Sequence, residues 1–154
     1  MRVHLFCVAR RPPAWAAEGT ADYQKRLVGA FDLRLRDFPP QSGVASVEQQ
    51  RERESRTLLK AVPAGARLVV LDERGEAWST RTLASRLDGW RNDARDVVLA
   101  IGGAEGHAPL LRDTADTLWS LSPLTLPHAL VKVLVVEQLY RAWSVLNNHP
   151  YHRE

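Results

Sequence analysis

Apolar runs alternate with longer amphipathic segments along the whole chain. Residues 2–8 are continuously apolar enough for a first strand. Residues 14–29 read as a helix carrying Trp15, Tyr23 and Leu27. Residues 31–38 alternate strictly between apolar and polar, the pattern of a half-exposed strand, and Pro39-Pro40 stops it because proline cannot continue a ladder. A polar Gln/Ser/Gly loop follows, and then the mixed-charge run 47–56, which suits a solvated helix face; Pro63 and Gly65 close this region. Residues 67–71 form an uninterrupted apolar run typical of a central parallel strand, with Asp72-Glu73-Arg74-Gly75 as the turn after it. Helix 80–91 places Leu83, Leu87 and Trp90 on one face. A second buried strand, 96–101, runs into Gly102-Gly103-Ala104-Glu105-Gly106. A short helix near 108–116 leads to a third strand at 117–122 and the stiff loop 123–127. The last helix, about 128–146, is apolar on nearly every side.

This alternation predicts an α/β fold in one domain: a mostly parallel sheet with helices on both faces. Sheets of that kind bind ligands beyond the carboxyl ends of their strands. The loops after Leu71, Ile101 and Ser122 are therefore the candidate binding loops. A final helix that is apolar all round needs more cover than one sheet face supplies, and a subunit interface is the expected second partner.

The chain has 154 residues, 45% of them hydrophobic, which is enough to build a core without staples. A net charge of +3 permits contact with nucleic acid without requiring it. Binding RNA would demand that basic residues gather on one face, with Arg10, Arg11 and Arg153 as candidate phosphate contacts. Cys7 is the single cysteine, so no intramolecular disulfide can form, and a reducing cytoplasm is expected. The apolar start is too short, and too soon followed by Arg10-Arg11-Pro12-Pro13, for a signal peptide. No apolar stretch is long enough to span a membrane.

Four constellations carry chemistry. Gly102 and Gly103 end a strand and let backbone approach a ligand, but the run lacks the Lys-Ser/Thr of a phosphate loop and fits no dinucleotide fingerprint; a tight turn explains it equally well. Ser122-Pro123-Leu124-Thr125-Leu126-Pro127 offers exposed leucines and free amides on a stiff loop, features an adenine pocket uses; an ordinary strand-to-helix connection is the competing reading. Glu137 and Arg141 are one turn apart on the apolar last helix, either as a simple ion pair or as part of a site. His149, Tyr151, His152 and Arg153 crowd the end of the chain, where proton transfer and phosphate holding are available chemistries. A metal site from His149 and His152 with His128 or Glu137 has no standard zinc spacing, and no metal is expected.

These residues carry a resemblance. Asn148-His149-Pro150-Tyr151-His152-Arg153-Glu154 resembles the signature of the RlmH family of ribosomal RNA large-subunit methyltransferases. Leu124-Thr125-Leu126-Pro127-His128 and Glu137-Gln138-Leu139-Tyr140-Arg141-Ala142-Trp143 match that family at the expected distances. Gly102–Gly106 resembles its glycine motif with Ala104 in place of proline, and Tyr23-Gln24-Lys25-Arg26-Leu27 resembles its first-helix motif. The likeness covers the whole chain, most specifically its last third, and is loose over residues 30–66.

The resemblance implies a SPOUT fold with a C-terminal trefoil knot, a homodimer, and S-adenosylmethionine as methyl donor. It places the donor among Leu71, Gly102, Gly103 and Ser122 to Pro127, with Leu71, Leu124 and Leu126 clasping adenine. It also implies methylation of N3 of a pseudouridine in large-subunit ribosomal RNA on assembled ribosomes. An imide nitrogen must lose its proton before it can attack a methyl group. His152 is the best-matched base, since histidine ordinarily titrates near ~6.5. Tyr151 would stack on the base or hydrogen-bond it. Glu137 would orient the histidine or bond the ring, and Arg141 and Arg153 would stabilise negative charge or hold phosphate. The competing readings are a non-catalytic α/β protein that binds RNA or ribosomes, and a small-molecule or nucleotide hydrolase of doubly wound fold; donor binding separates the first reading from both.

Overall fold

A computed structural model describes residues 1–153. Five strands form one sheet: β1 (Arg2–Val8), β2 (Asp32–Phe38), β3 (Arg67–Ala77), β4 (Val97–Ile101) and β5 (Thr117–Ser120). All neighbours are parallel, in the order β2-β1-β4-β3-β5. Four helices connect them, α1 (Ala14–Arg26), α2 (Val47–Ala61), α3 (Thr80–Asp93) and α4 (Pro109–Thr114), and a fifth, α5 (His128–Leu146), follows β5. A 3-10 turn, Pro150–Arg153, follows. Among the described residues no helix is long and apolar enough to cross a membrane.

The continuous apolar runs are explained by cover on both faces. Successive strand residues point to opposite sides. Val3, Leu5, Val69, Val97 and Leu99 pack with Leu27 of the α1 end, Leu83 and Leu87 of α3, and Val135 and Leu139 of α5. Phe6, Val8, Val70, Val98 and Ala100 pack with Leu58 of α2 and Leu111 of α4. Each such fully buried side chain contributes roughly 1.5–3 kcal/mol, so the central strands are the rigid frame that holds the loops at their carboxyl ends.

Three elements differ from the expectation. The turn expected at Asp72–Gly75 lies inside β3, which continues to Ala77. Leu71 and Glu76 both pair with Trp119, so the residues between them are looped out of the ladder. Asp72 Oδ1 accepts from the Arg74 N–H at 2.9 Å, which is the turn chemistry the sequence displays. The chain nevertheless returns to the same neighbour, because Gly75 lies flat on β5: a Cβ there would stand 2.6 Å from the Leu118 carbonyl carbon. The mixed-charge run 47–56 is not simply a solvated face, since Glu54 and Ser55 are buried at 3% and 1% exposure. Helix α1 stops at Arg26 rather than at residue 29; Gly29 has φ +88°.

Helix α5 spans the predicted residues, from Pro127 at its N-cap to Asn147. It packs on both α1 and α3. Lys132, Val135, Val136, Leu139, Ala142 and Ser144 are buried, while Val131, Val133, Leu134, Trp143 and Leu146 are only half-buried.

Candidate active site

The carboxyl ends of β3, β4 and β5 and the first turn of α5 enclose a cavity of about 800 Å³. That is the size range of small-molecule and cofactor sites. Leu71, Gly102, Gly103, Ser122, Leu124, Thr125, Leu126 and Pro127 all line it; of the residues read from the sequence as donor contacts, Pro123 does not. Ser120 Oγ donates to the Ser122 carbonyl at 3.1 Å, and the Leu124 N–H donates to Ser122 Oγ at 2.9 Å. These bonds set the loop so that Leu124 stands out, 70% exposed. Leu71, Ile101, Trp119, Leu126 and Val131 supply apolar wall. Trp119 is itself buttressed by Trp78, stacked at 4.9 Å.

The glycine loop is clamped from behind. A Cβ at Gly102 would meet the Gly106 backbone at 3.1 Å and His107 Cε1 at 3.2 Å; one at Gly103 would meet Val8 Cγ1 at 3.1 Å and Glu54 Oε2 at 3.3 Å. The Gly106 N–H donates to the Gly103 carbonyl at 3.1 Å, and Gly106 closes the turn at φ +75°. Helix α2 supplies two further hydrogen bonds and one packing contact behind the loop. Arg51 Nε donates to the Glu105 carbonyl. Ser55 Oγ accepts from the Ala108 N–H at 3.0 Å. Glu54 Oε1 accepts from the Gln41 N–H and from Gln50 Nε2, leaving Oε2 buried and unbonded beneath Gly103. The sequence reading missed this role. The signal was the spacing of Arg51, Glu54, Ser55 and Leu58, which puts all four on one face of α2.

His107, also unassigned from the sequence, lines the cavity at 5% exposure with Nε2 buried and unbonded. Burial pulls its pKa down to about 4; contact with the Ala100 carbonyl and with Asp72 opposes that, and Arg112 reinforces it. The ring is therefore neutral at physiological pH. Arg112 Nη1 donates to the His107 carbonyl at 2.7 Å and lies 3.8 Å from Asp72.

The residues present suit an adenosyl donor. Gly102 and Gly103 present bare backbone to the cavity with no room behind them for a side chain, leucines flank the opening, and charges of both signs, Asp72, Glu73 and Arg74 among them, line one side. Among the described residues no three His, Cys, Asp or Glu side chains gather to hold a metal ion.

A second cluster forms at the other end of α5. Arg141 Nε donates to Glu137 Oε1 at 2.8 Å, and the Tyr151 hydroxyl donates to the same oxygen at 2.9 Å. The Arg141 guanidinium lies over the Tyr151 ring at 4.7 Å. Burial, then the hydrogen bond donated to Glu137, holds the Tyr151 phenol above its ordinary range. His152 is half-buried with Nδ1 unbonded, and Arg153 is exposed. The structure thus brings together Glu137, Arg141 and Tyr151, whereas among the described residues no hydrogen bond ties Glu137 to His152. None of these five residues lines the cavity. Along α5, His128 at the cavity and Arg141 in the cluster are separated by about 20 Å at the helical rise.

The family profile described as Predicted SPOUT methyltransferase matches residues 1–152. The chain is 47% identical to ribosomal RNA large subunit methyltransferase H of Burkholderia lata, over 99% of both chains. It is 46% identical to the protein of that name from Burkholderia vietnamiensis and 44% to that from Burkholderia mallei, again over 99% of each. A five-stranded parallel sheet with helices on both faces, a cavity at its carboxyl edge and these full-length likenesses lead to one conclusion: the chain belongs to the SPOUT methyltransferase family, with that family's knotted α/β fold.

Proposed function

We propose that the chain acts as a single-domain enzyme that transfers a methyl group from S-adenosylmethionine to N3 of a pseudouridine in large-subunit ribosomal RNA. It works in the cytoplasm, as a homodimer, on assembled ribosomes. The observation that carries this reading is the convergence of the loops after β3, β4 and β5 on one cavity, in a chain that matches ribosomal RNA methyltransferases from end to end. Membership of a methyltransferase family disfavours a non-catalytic RNA-binding protein.

When bound, the donor supplies a methyl group already activated on sulfonium. The chain does the rest. Leu71, Leu124 and Leu126 clasp the adenine, and the backbone at Gly102 and Gly103 approaches the donor closely. The segment from Ser122 to Pro127, Pro123 included, keeps the loop stiff. His152, half-buried on the last turn, takes the imide proton of the acceptor. Glu137 fixes Tyr151 and Arg141, and Arg141 and Arg153 face the developing negative charge or a phosphate. Within one chain the tail and the cavity are far apart. A two-fold dimer built on the half-buried face of α5 carries each tail to the partner's cavity. With a net charge of only +3, isolated RNA binds weakly and in a salt-dependent way, and the ribosome's shape supplies the remaining recognition.

Truncation after Asn148 tests the division of labour. Transfer to ribosomes should be abolished while donor affinity by calorimetry stays near that of the intact chain. A truncated protein that methylates at the full rate removes the tail from the active site.

A further inference from the structure

The tail is anchored to α1 as well as to α5, and Tyr23 is the α1 side chain that hydrogen-bonds it. Asn148, at φ +52°, turns the chain back, and the His149 N–H donates to the Ser144 carbonyl at 2.9 Å. The Tyr151 ring then enters an aromatic cluster, 4.6 Å from Tyr140 and 6.3 Å from Tyr23. The Arg26 guanidinium sits 5.2 Å from the Tyr23 ring, 5.9 Å from Tyr140 and 6.0 Å from Tyr151. The hydroxyls of Tyr151 and Tyr23 are 3.2 Å apart.

Proton counting fixes the direction of this chain. Tyr151 has one hydroxyl proton, and an ionised carboxylate only accepts. Tyr151 therefore donates to Glu137 Oε1, its shorter and charge-assisted bond. It follows that Tyr23 donates to Tyr151. Glu137 Oε1 also accepts from Arg141, and Oε2 accepts from Gln138 Nε2 at 2.7 Å. Both carboxylate oxygens are thus engaged by neighbours, which makes Glu137 a fixed hub and leaves proton abstraction to another group.

We infer that Tyr23 is a positioning residue for methyl transfer: its hydroxyl, donated to Tyr151, completes a Tyr23–Tyr151–Glu137–Arg141 lock that holds the tail, and with it His152, in its working place. The inference rests on the proposed function, because it matters for the reaction only if the tail carries the chemistry. Tyr23 lies 128 residues from Tyr151 in sequence. The lock thereby ties the first helix of the chain to its last turn.

The test is Tyr23→Phe in the full-length protein, which keeps the ring and removes only the hydroxyl. A single lost hydrogen bond of ordinary strength corresponds to a change of roughly 5- to 10-fold. The turnover rate at saturating donor and ribosomes should fall by that factor, with donor affinity unchanged and the melting temperature lowered by no more than the roughly 2–4 °C that one such bond accounts for. Amide exchange at His149, Tyr151 and His152 should speed up by a similar factor. In a Tyr151→Phe background, Tyr23→Phe should cause no further loss. Turnover and tail exchange both at the wild-type level overturn the lock. A fall in donor affinity and melting temperature that accounts for the lost turnover overturns it too, by making Tyr23 an ordinary packing residue. A wild-type protein that transfers no methyl group to ribosomes sinks the proposed function instead, and the exchange measurement still decides the lock.

Discussion

Acidification should weaken this fold through one side chain in particular. His107 lies under the cavity floor, and burial holds its pKa at about 4, against 6.5 for an ordinary histidine. The sign follows from which state takes up the proton first. As pH falls through 6.5 the unfolded chain becomes protonated there, while the folded chain resists until pH 4. Stability is thus fully present above pH 6.5, declines between 6.5 and 4, and falls no further from this group below 4. At about 1.4 kcal/mol per pKa unit the whole loss is on the order of 3 kcal/mol, of which about 2 has gone at pH 5. Other groups titrate over the same interval, so the decisive quantity is a difference. Urea unfolding of the wild type and of His107→Leu at pH 7.5 and pH 5.0 cancels the shared background. The wild type should lose about 2 kcal/mol more than the variant on going to pH 5.0. Equal losses in the two proteins would show that the imidazole is not held neutral in the folded state, and the account of the cavity floor would be wrong.

Three further outcomes follow from the packing. Gly103→Val puts a side chain where a Cβ already meets Val8 and Glu54 at 3.1–3.3 Å, and calorimetry should find donor affinity reduced at least tenfold; unchanged affinity would rule out the donor placement. Gly75→Ala drives a methyl group into the β5 backbone at 2.6 Å and should cost about 1–3 kcal/mol in denaturant unfolding, whereas a neutral result would contradict the flat apposition of β3 and β5. Burial pushes the Cys7 thiol up to about 12, with Lys132 opposing and Asp37 reinforcing, so a thiol reagent at pH 8 should label the native protein only as fast as it unfolds; rapid labelling under native conditions would refute that burial.

What the sequence revealed and what it hid divide along physical lines. Periodicity located β1 at 2–8 and α5 at 128–146 because each is framed by prolines or polar residues and because the apolar pattern is strong. The general rule about carboxyl ends then chose the three loops that line the cavity. Residues 72–77 were misread because Asp72-Glu73-Arg74-Gly75 has the composition of a turn, while its return to the sheet depends on Gly75 meeting a strand more than forty residues ahead. Glu54 and Ser55 were hidden in a charged run, since burial of a polar side chain is decided by tertiary neighbours rather than by local pattern. Of the tail cluster, the Glu137–Arg141 pair was legible from its spacing; the tie to Tyr23 was not, because it joins opposite ends of the chain. The knot came from resemblance alone, as general rules of chain topology argue against knots.

The most direct test of the account is methyl transfer itself. Ribosomes from a strain lacking its own large-subunit methyltransferase of this family would be incubated with the purified protein and isotopically labelled S-adenosylmethionine, and the ribosomal RNA mapped by mass spectrometry. The account predicts one methyl group on N3 of one pseudouridine of the large-subunit RNA, gained with assembled ribosomes far faster than with free RNA. Donor binding without any methyl group on ribosomal RNA, or methylation of a free hairpin as fast as of whole ribosomes, would contradict it.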